Sequence, residues 1–551
     1  MGKCLAGRSV FMLMLLPLIG SGCAAPASKS APDSGQLAEV WGWDSYSNDG
    51  NGGPLDSRIS LDYQAEVLDL STLHDATDGG DEMDPFDVAA DDSTVPQEVV
   101  STTTMEQFDA ILAQEDLALL ESFLDGYDGP LWVEDRCLIV TKYDSGTEVH
   151  VRGSINGWEL GDTLEEIPFA PGVYYRFFDS SGWEPVETYK LFAQESWFRD
   201  PLNRYFRFSD VALDSAIHAQ GTSRLALVEG VWSPQLNNER NLYVYVPAAA
   251  FGEPQRRFPV LFMQDGFNIF SNPMAPFGNW GVESTADELI AGGEIEPLIV
   301  VGIDTNDRMN EYLYTDLSIE REGETIQIDP HLDAYLEFVV DTVLPLVSSQ
   351  FPTLAGAKAT GIAGSSLGGI SSFYMAWKRP DVFGKVAALS SSFWVGESGS
   401  GTEDYPSMRE VIDSAPPTAP QLALKIYLDS GDGGWVATAE SSASGDGYPS
   451  DARAYTDWTR NKLIALGFDN RGEWDTDDDL ASPPDDLPLT TDPGDVPTLF
   501  WTSQPSSDYT GWDDYLGAGS NLLHLVGQGH IHNEAAWKAR FPCALRFLWG
   551  Q

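Results

Sequence analysis

The segment Gly364-Ser365-Ser366-Leu367-Gly368-Gly369 sets a serine hydroxyl among glycines, a pattern that permits covalent chemistry. It follows the apolar run Ala359-Thr360-Gly361-Ile362-Ala363 and opens a helix predicted over Ile370 to Trp377. A strand that turns sharply into a helix needs neighbours without a Cβ, and such a turn lifts the Ser366 hydroxyl clear of a sheet edge. The Leu367 N–H then points to where an attacked carbonyl oxygen would gather negative charge. Chance supplies a bare Gly-x-Ser-x-Gly about 0.4 times in a chain of this composition, and the added glycine lowers that to about 0.04. The surrounding elements must therefore carry much of the argument.

A hydroxyl nucleophile needs a base, and the chain holds 7 histidines. Three cluster near its end. His524 lies inside an apolar run and reads as a packed core residue, whereas His530 and His532 sit in the following loop, Gly527 to Trp537. A base that arrives last in chain order, behind the final strand, suits this kind of nucleophile. A carboxylate should lie between the two in sequence, to fix the imidazole tautomer and stabilise its charged form. Asp429, Asp432, Asp446 and Asp451 follow the strand predicted over Ile426 to Leu428. Asp446, just ahead of a helix predicted over Ala452 to Leu466, is the chosen acid, and Asp432, nearer the strand end, stays open as the alternative. Such a set performs nucleophilic acyl transfer and implies no metal or organic cofactor.

The elements that must position these groups are readable from periodicity. Beyond Leu225, apolar runs at Leu242 to Val246, Val260 to Met263, Leu298 to Ile303, Val386 to Leu389, Ile426 to Leu428 and Leu522 to Val526 predict buried strands. Helical stretches such as Ala334 to Phe351 lie between several of them, so the fold class is α/β, a mostly parallel sheet wrapped by helices. Ahead of it, Leu131 to Asp210 carries short alternating runs separated by glycine turns, which predict a small β-sandwich. Met105, Phe108, Ile111, Leu112, Leu119, Leu120 and Phe123 fall at helical spacing and predict one apolar face. The acidic interval from about Asn470 to Gly519 reads as a surface insertion, solvated rather than calcium-binding.

Length and charge bound the partners. The 551 residues are 42% hydrophobic, enough for a large core, and the formal net charge is -54. Nucleic acid is excluded as a partner, because it draws affinity from Lys and Arg, and an anionic membrane surface is disfavoured for the same reason. Lys3 and Arg8 precede an apolar run from Val10 to Ile19, the layout of an export signal, and the sequence predicts an exported chain. Gly20-Ser21-Gly22-Cys23 resembles a bacterial lipoprotein cleavage site, with Gly20 standing where Leu is usual; that resemblance implies a lipid anchor on Cys23 in the cell envelope. From 24 to 104 the composition reads as an acidic, disordered linker. Cys137 and Cys543 would remain in an oxidising compartment, as one disulfide or as two buried thiols.

Two resemblances sharpen these expectations. Val151-Arg152-Gly153-Ser154-Ile155-Asn156-Gly157-Trp158 and Asp200-Pro201-Leu202-Asn203-Arg204 resemble early-set immunoglobulin-like modules related to glycogen-binding domains. Trp158, Tyr174 and Trp183 are then candidates for a sugar-stacking platform, against the alternative of sandwich core. The region from Arg224 to Gln551 resembles the esterase D family of α/β-hydrolases, which includes feruloyl, acetylxylan and enterobactin-type siderophore esterases. The residues that carry it are Val260 to Gly266, Gly302-Ile303-Asp304 with Arg308 and Glu311-Tyr312, Gly364 to Gly369, Pro380 to Gly384, and His532 with Trp537-Lys538. The family's Trp after its catalytic His selects His532 over His530. Its oxyanion loop falls on Asp265-Gly266 and makes the Phe267 N–H the second donor beside Leu367. An insertion from Gly433 to Ser444 departs from the family's spacing and blurs the acid.

The expected organisation is thus a signal over 1–23, the linker over 24–104, a helix and sandwich over 105–222, and an α/β-hydrolase domain over 223–551. The expected activity is serine ester hydrolysis, on acylated carbohydrate or, alternatively, on a siderophore trilactone. A carbohydrate-binding surface protein with an inactive hydrolase domain is the rival from another class. Few basic residues other than Arg308 lie near the motifs, which favours a neutral substrate.

Overall fold

The computed structural model describes residues 103–159, 161–321, 324–396, 407–431, 451–468, 499–501, 520–527 and 530–550. The signal, Cys23, nearly all of the linker, Asp432 and Asp446 lie outside the described residues, as does most of the 470–519 interval.

Two helices open the described chain, Met105–Gln114 and Leu117–Asp125. Thr104 caps the first in a reciprocal capping box with Gln107, and Asp116 caps the second. Glu115, at φ 53°, breaks the run between them. That break shifts the apolar stripe, so Leu120 and Phe123 pack inward with Met105, Phe108 and Ile111, while Leu119, expected on the same face, is exposed.

Ten short strands follow: β1 (Leu131–Val133), β2 (Arg136–Lys142), β3 (His150–Gly153), β4 (Asp162–Thr163), β5 (Glu165–Glu166), β6 (Val173–Asp179), β7 (Val186–Ala193), β8 (Ser196–Phe198), β9 (Phe206–Phe208) and β10 (Leu213–His218). Among the described residues they form two antiparallel sheets, β1-β2-β6-β5 and β4-β3-β7-β10-β9, with β8 beside β7. Strand β2 shows why they stack. Cys137 and Ile139 join Val151, Tyr189, Leu191 and Ile217 of the second sheet in one core, whereas Leu138 and Val140 face the opening helices. Tyr174 and Trp183 belong to this packing. Tyr174 is buried, with its hydroxyl donating to the Asp144 carbonyl, and Trp183 meets Trp132 and Phe178 edge-on or tilted. Of the expected platform, Trp158 alone is exposed, beside Trp197.

The second half is a mixed sheet flanked by helices on both faces. Its strands are β11 (Arg224–Ser233), β12 (Asn238–Val246), β13 (Val260–Met263), β14 (Ile299–Ile303), β17 (Thr360–Ser365), β18 (Lys385–Leu389), β19 (Lys425–Gly431), β20 (Leu499–Trp501) and β21 (Leu522–Gly527); β15 (Leu317–Arg321) and β16 (Glu324–Ile328) pair as a separate hairpin. The order among the described residues is β11-β12-β14-β13-β17-β18-β19-β21-β20, with β11, β12 and β14 joined antiparallel and the rest parallel. Strand β13 alternates between two cores. Val260 and Phe262 pack with the helix Leu367–Lys378 on one face, and Leu261 and Met263 pack with Val282–Ala291 and Glu534–Trp549 on the other.

Two departures from the expected elements have local causes. The predicted helix Ala334 to Phe351 is observed as Leu332–Phe338 and Leu344–Gln350 around a π-helical turn, Val339–Val343. Pro345 has no N–H to give and its ring crowds the carbonyl four residues back, which accounts for the widened turn ahead of it. Within the interval read as a surface insertion, Leu499-Phe500-Trp501 adds β20 parallel to the edge of β21, as β-forming residues do beside an open strand.

The thiols of Cys137 and Cys543 are both free and buried, and the cross-link weighed from sequence is not formed. Cys137 sits between the two antiparallel sheets and Cys543 under the large sheet, in separate cores. Burial pushes both thiols up, Cys543 to about 12, so neither carries thiolate character at neutral pH.

Candidate active site

Parallel pairing puts the carboxyl ends of β13, β17, β18, β19 and β21 along one edge of the sheet. The residues that follow those ends are the ones singled out from sequence. Ser366 leaves β17 at φ 55°, ψ −121° and caps the helix Leu367–Lys378. A non-glycine residue reaches such angles only where its surroundings hold it there. Here the Ser366 N–H donates to the Leu389 carbonyl of β18, and the Ser366 carbonyl accepts from Gly369, Ile370 and Ser392.

The flanking glycines have a steric reason. A Cβ on Gly364 would stand 2.5 Å from the Gly368 carbonyl oxygen, and one on Gly369 would stand 3.1 Å from Cα of Ser391. The Ser366 hydroxyl oxygen lies 3.4 Å from that of Ser392, with either able to donate. Leu367 is the first residue of its helix, so its N–H has no carbonyl within the helix to meet.

The loop after β13 is pressed onto this elbow. Asp265 adopts φ 58°, ψ 49°, and a Cβ on Gly266 would stand 2.7 Å from the Gly302 carbonyl carbon. Arg308 grips the Asp265 carboxylate with both arms of its fork, Nε to Oδ1 at 2.8 Å and Nη2 to Oδ2 at 3.0 Å, and Nη2 also donates to the Ser365 carbonyl at 3.3 Å. Tyr312 accepts from the Asp265 N–H. Phe267, expected as an oxyanion donor, is 38% exposed on this loop and packs against Phe208 of β9. Its N–H faces the Asp304 carboxyl. Burial pushes that carboxyl up to about 7, against the Tyr243 hydroxyl, Arg240 and the Phe267 N–H, which favour its anion.

The loop after β21 folds back over the end of β19, where a Cβ on Gly431 would collide with the His530 carbonyl oxygen. His530 accepts from Arg540 through Nδ1 at 3.1 Å. His532 is buried and packs edge-on against Trp537, ring centroids 5.1 Å apart. Burial pushes its imidazole down to about 3, and the guanidinium groups of Arg540 and Arg308 push the same way, so the ring is neutral at ordinary pH. Asn533 caps the C-terminal helix, and Asn268 of the β13 loop donates to Glu534 at 3.5 Å. Arg308, which donates to the Ser365 carbonyl, lies near enough for its charge to act on both His532 and Glu534. His524 lies in β21, fully buried between Arg460 and Asp457, the core position expected of it.

The acid end of the site is partly occupied by a structural pair. Asp429 is fully buried against Arg540, Nε to Oδ2 at 3.0 Å, and accepts from the Ser390 N–H and the Tyr427 hydroxyl. That commits Asp429 to the C-terminal helix. Asp451 begins the helix Asp451–Ala465, and the preferred and alternative acids, Asp446 and Asp432, lie outside the described residues. Sequence reasoning missed the roles of Asp265, Asp429, Arg540 and Glu534. The proximity of the Asp265-Gly266 loop to the elbow was implied by the family resemblance alone, whereas nothing in the linear chain ties residue 540 to residue 429. Among the described residues no group of three or more His, Cys, Asp or Glu is placed to hold a metal ion.

The model of the Esterase family matches residues 233–454. Three curated relatives are similar over part of their length: an uncharacterized protein of Bacillus subtilis (24% identical over 170 residues), the endo-1,4-beta-xylanase/feruloyl esterase of Xylanibacter ruminicola (27% over 174) and the iron(III) salmochelin esterase of Escherichia coli (28% over 195). The alignments take in 30%, 30% and 34% of this chain and 62%, 21% and 42% of those proteins, less than two thirds of each. Among solved structures, a ferulic acid esterase aligns over 60% of this chain and 98% of its own at 17% identity, TM-score 0.36. The enterobactin esterase of Shigella flexneri aligns over 78% and 98% at 16% identity, TM-score 0.35.

Proposed function

We propose that this chain is a carboxylic ester hydrolase that works by acyl transfer through Ser366. The observation that carries the reading is the Ser366 backbone, held at φ 55°, ψ −121° between a buried strand and a helix. Such a conformation presents a hydroxyl at the sheet edge and turns the following N–H toward the same space. The similarity of residues 233–454 to the Esterase family supports the reaction class.

In the proposed reaction the Ser366 oxygen attacks the ester carbonyl while His532 takes its proton. The proton passes to the leaving alkoxide, and water then splits the acyl-enzyme with His532 again as base. Asp446, with Asp432 as the alternative, holds the imidazole. The Leu367 N–H receives the oxyanion, and the Phe267 N–H joins it as second donor by turning from the Asp304 carboxyl that it faces in the free chain. No cofactor enters any step.

The substrate we propose is an acylated carbohydrate, a neutral ester. Similarity to a feruloyl esterase supports this, as does the engagement of Arg308 by Asp265, which commits a cation beside the elbow to a carboxylate of the chain itself. The second reading, a siderophore trilactone esterase, is supported by similarity to the salmochelin esterase. Export and a lipid anchor on Cys23 belong to the same proposal, and palmitate labelling that survives Cys23→Ser would remove the anchor from it.

The test is turnover of acetyl and feruloyl sugars, catecholate lactones and short aryl esters by the purified chain. Ser366→Ala is expected to lower kcat/KM at least about a thousandfold. Aryl-ester cleavage at the original rate in that variant would eliminate Ser366 as the nucleophile.

A further inference from the structure

We infer that Arg308 is a positioning residue for this reaction, a clamp that locks the two oxyanion donors into one register and cancels a carboxylate that would otherwise repel the oxyanion. The inference rests on the ester-hydrolase reading above. The two donors come from different elements, Leu367 from the elbow after β17 and Phe267 from the loop after β13, related by adjacent strands and by Gln264, which donates to Ser372 of the elbow helix. Arg308 ties the pieces together directly. Its Nε and Nη2 take the Asp265 carboxylate, two residues before Phe267, and Nη2 takes the carbonyl of Ser365, two residues before Leu367. A planar fork suits this task because the two arms fix orientation as well as distance.

The charge argument is separate. A Cβ on Gly368 would stand 3.2 Å from Oδ2 of Asp265, so this carboxylate lies against the first turn of the elbow helix. The positive end of a helix dipole attracts it there, close to the N–H that is to receive the oxyanion. An uncompensated carboxylate in that place would oppose the negative charge developing on the substrate oxygen. Arg308 and Asp265 are both largely shielded from water, with side chains 9% and 12% exposed, so solvent does little to screen that repulsion and the guanidinium must cancel it.

Two consequences separate this role from anion binding. Loss of the clamp acts on the transition state, so it lowers kcat on neutral and anionic esters alike. Removing Arg308 alone leaves Asp265 charged and is worse than removing both charges, so the two substitutions are strongly non-additive.

The experiment measures kcat and KM of the full chain on 4-nitrophenyl acetate and on the 4-nitrophenyl monoester of succinic acid. The variants are Arg308→Met, Arg308→Lys, Asp265→Asn and the double variant Asp265→Asn/Arg308→Met, with Ser366→Ala as the control for the underlying reading. Arg308→Met is expected to lower kcat about 100-fold on both esters with KM within about threefold, and Arg308→Lys, lacking the fork, to recover only part. The double variant is expected to regain about tenfold over Arg308→Met, and it leaves no buried charge unpaired if the single variant fails to fold. A loss confined to KM for the succinate ester would overturn the proposal in favour of anion binding. Unchanged kcat in Arg308→Met, or a double variant slower than either single, would overturn it too. Full activity in Ser366→Ala would instead remove the ester-hydrolase reading itself.

Discussion

Glu534 and His532 sit two positions apart and are displaced in a way that leaves both neutral over much of the pH range. Burial pushes the Glu534 carboxyl up from 4.5 to about 7, and burial pushes the His532 imidazole down from 6.5 to about 3. Each shift makes its own stability slope. The folded chain holds the Glu534 proton more tightly than the unfolded one, so this residue makes stability fall as pH rises from about 4.5 to about 7. The folded chain holds a proton on His532 less tightly, so this residue makes stability fall as pH drops from about 6.5 toward about 3. The two slopes oppose each other between 4.5 and 6.5. Glu534→Gln is therefore expected to shift the slope of stability against pH upward through that window relative to the parent, by up to about 1.4 kcal/mol per unit, the falling contribution of Asp304 being common to both. Urea midpoints at half-unit steps would read it, and identical profiles for the two proteins would refute the Glu534 contribution. The same displacement of His532 predicts that the acid limb of kcat/KM against pH lies below 6.5.

The elbow shows how an element can depend on atoms it lacks. Gly364 has no room for a Cβ because the Gly368 carbonyl, one helical turn ahead, lies 2.5 Å from where it would be, and neither backbone can yield without moving Ser366. Gly364→Ala is expected to lower stability by about 1–3 kcal/mol and to remove most activity. Gly161→Ala, where nothing lies within 4 Å, is the matched control and is expected to be neutral. Equal thermal midpoints for Gly364→Ala and the parent would mean the turn is looser than its contacts imply.

Legibility along the chain followed the same line between local and non-local causes. Strands such as Val260–Met263 were readable because burial on both faces leaves an unbroken apolar run. The elbow was readable because its steric demand is written in glycines next to the serine. Leu119 was misplaced because Glu115 interrupts the helix and resets the face, a change periodicity averages over. The Asp265–Arg308 and Asp429–Arg540 pairs were not readable, since an acidic chain offers many carboxylates and only the tertiary fold selects among them.

At the scale of the molecule, the sheets of the first half and the large sheet of the second do not keep separate interiors. Tyr205 and Ala216 belong to the same core as β12, β13 and β17, and Phe206 belongs to the core beneath the opposite face, with Tyr243, Trp280 and Trp537. The Tyr205 carbonyl and N–H pair with Ala216 and the Asn203 side chain, its hydroxyl donates to Asp128, and Arg204 reaches Gln350 and stacks on Phe351. A boundary drawn at residue 222 therefore passes through shared packing, and the two parts should unfold together. Phe206→Ala leaves a cavity at that junction and is expected to cost about 3–5 kcal/mol. The loss should appear as one shifted transition followed both by tryptophan fluorescence, dominated by the many Trp of the second half, and by far-ultraviolet circular dichroism. Phe208, in the same strand β9, packs against Phe267 on the loop after β13, so the strand that joins the cores also buttresses the candidate site. Two separated transitions, with only the earlier one moved by Phe206→Ala, would show that the first half folds as its own unit and would detach the loop after β13 from its support.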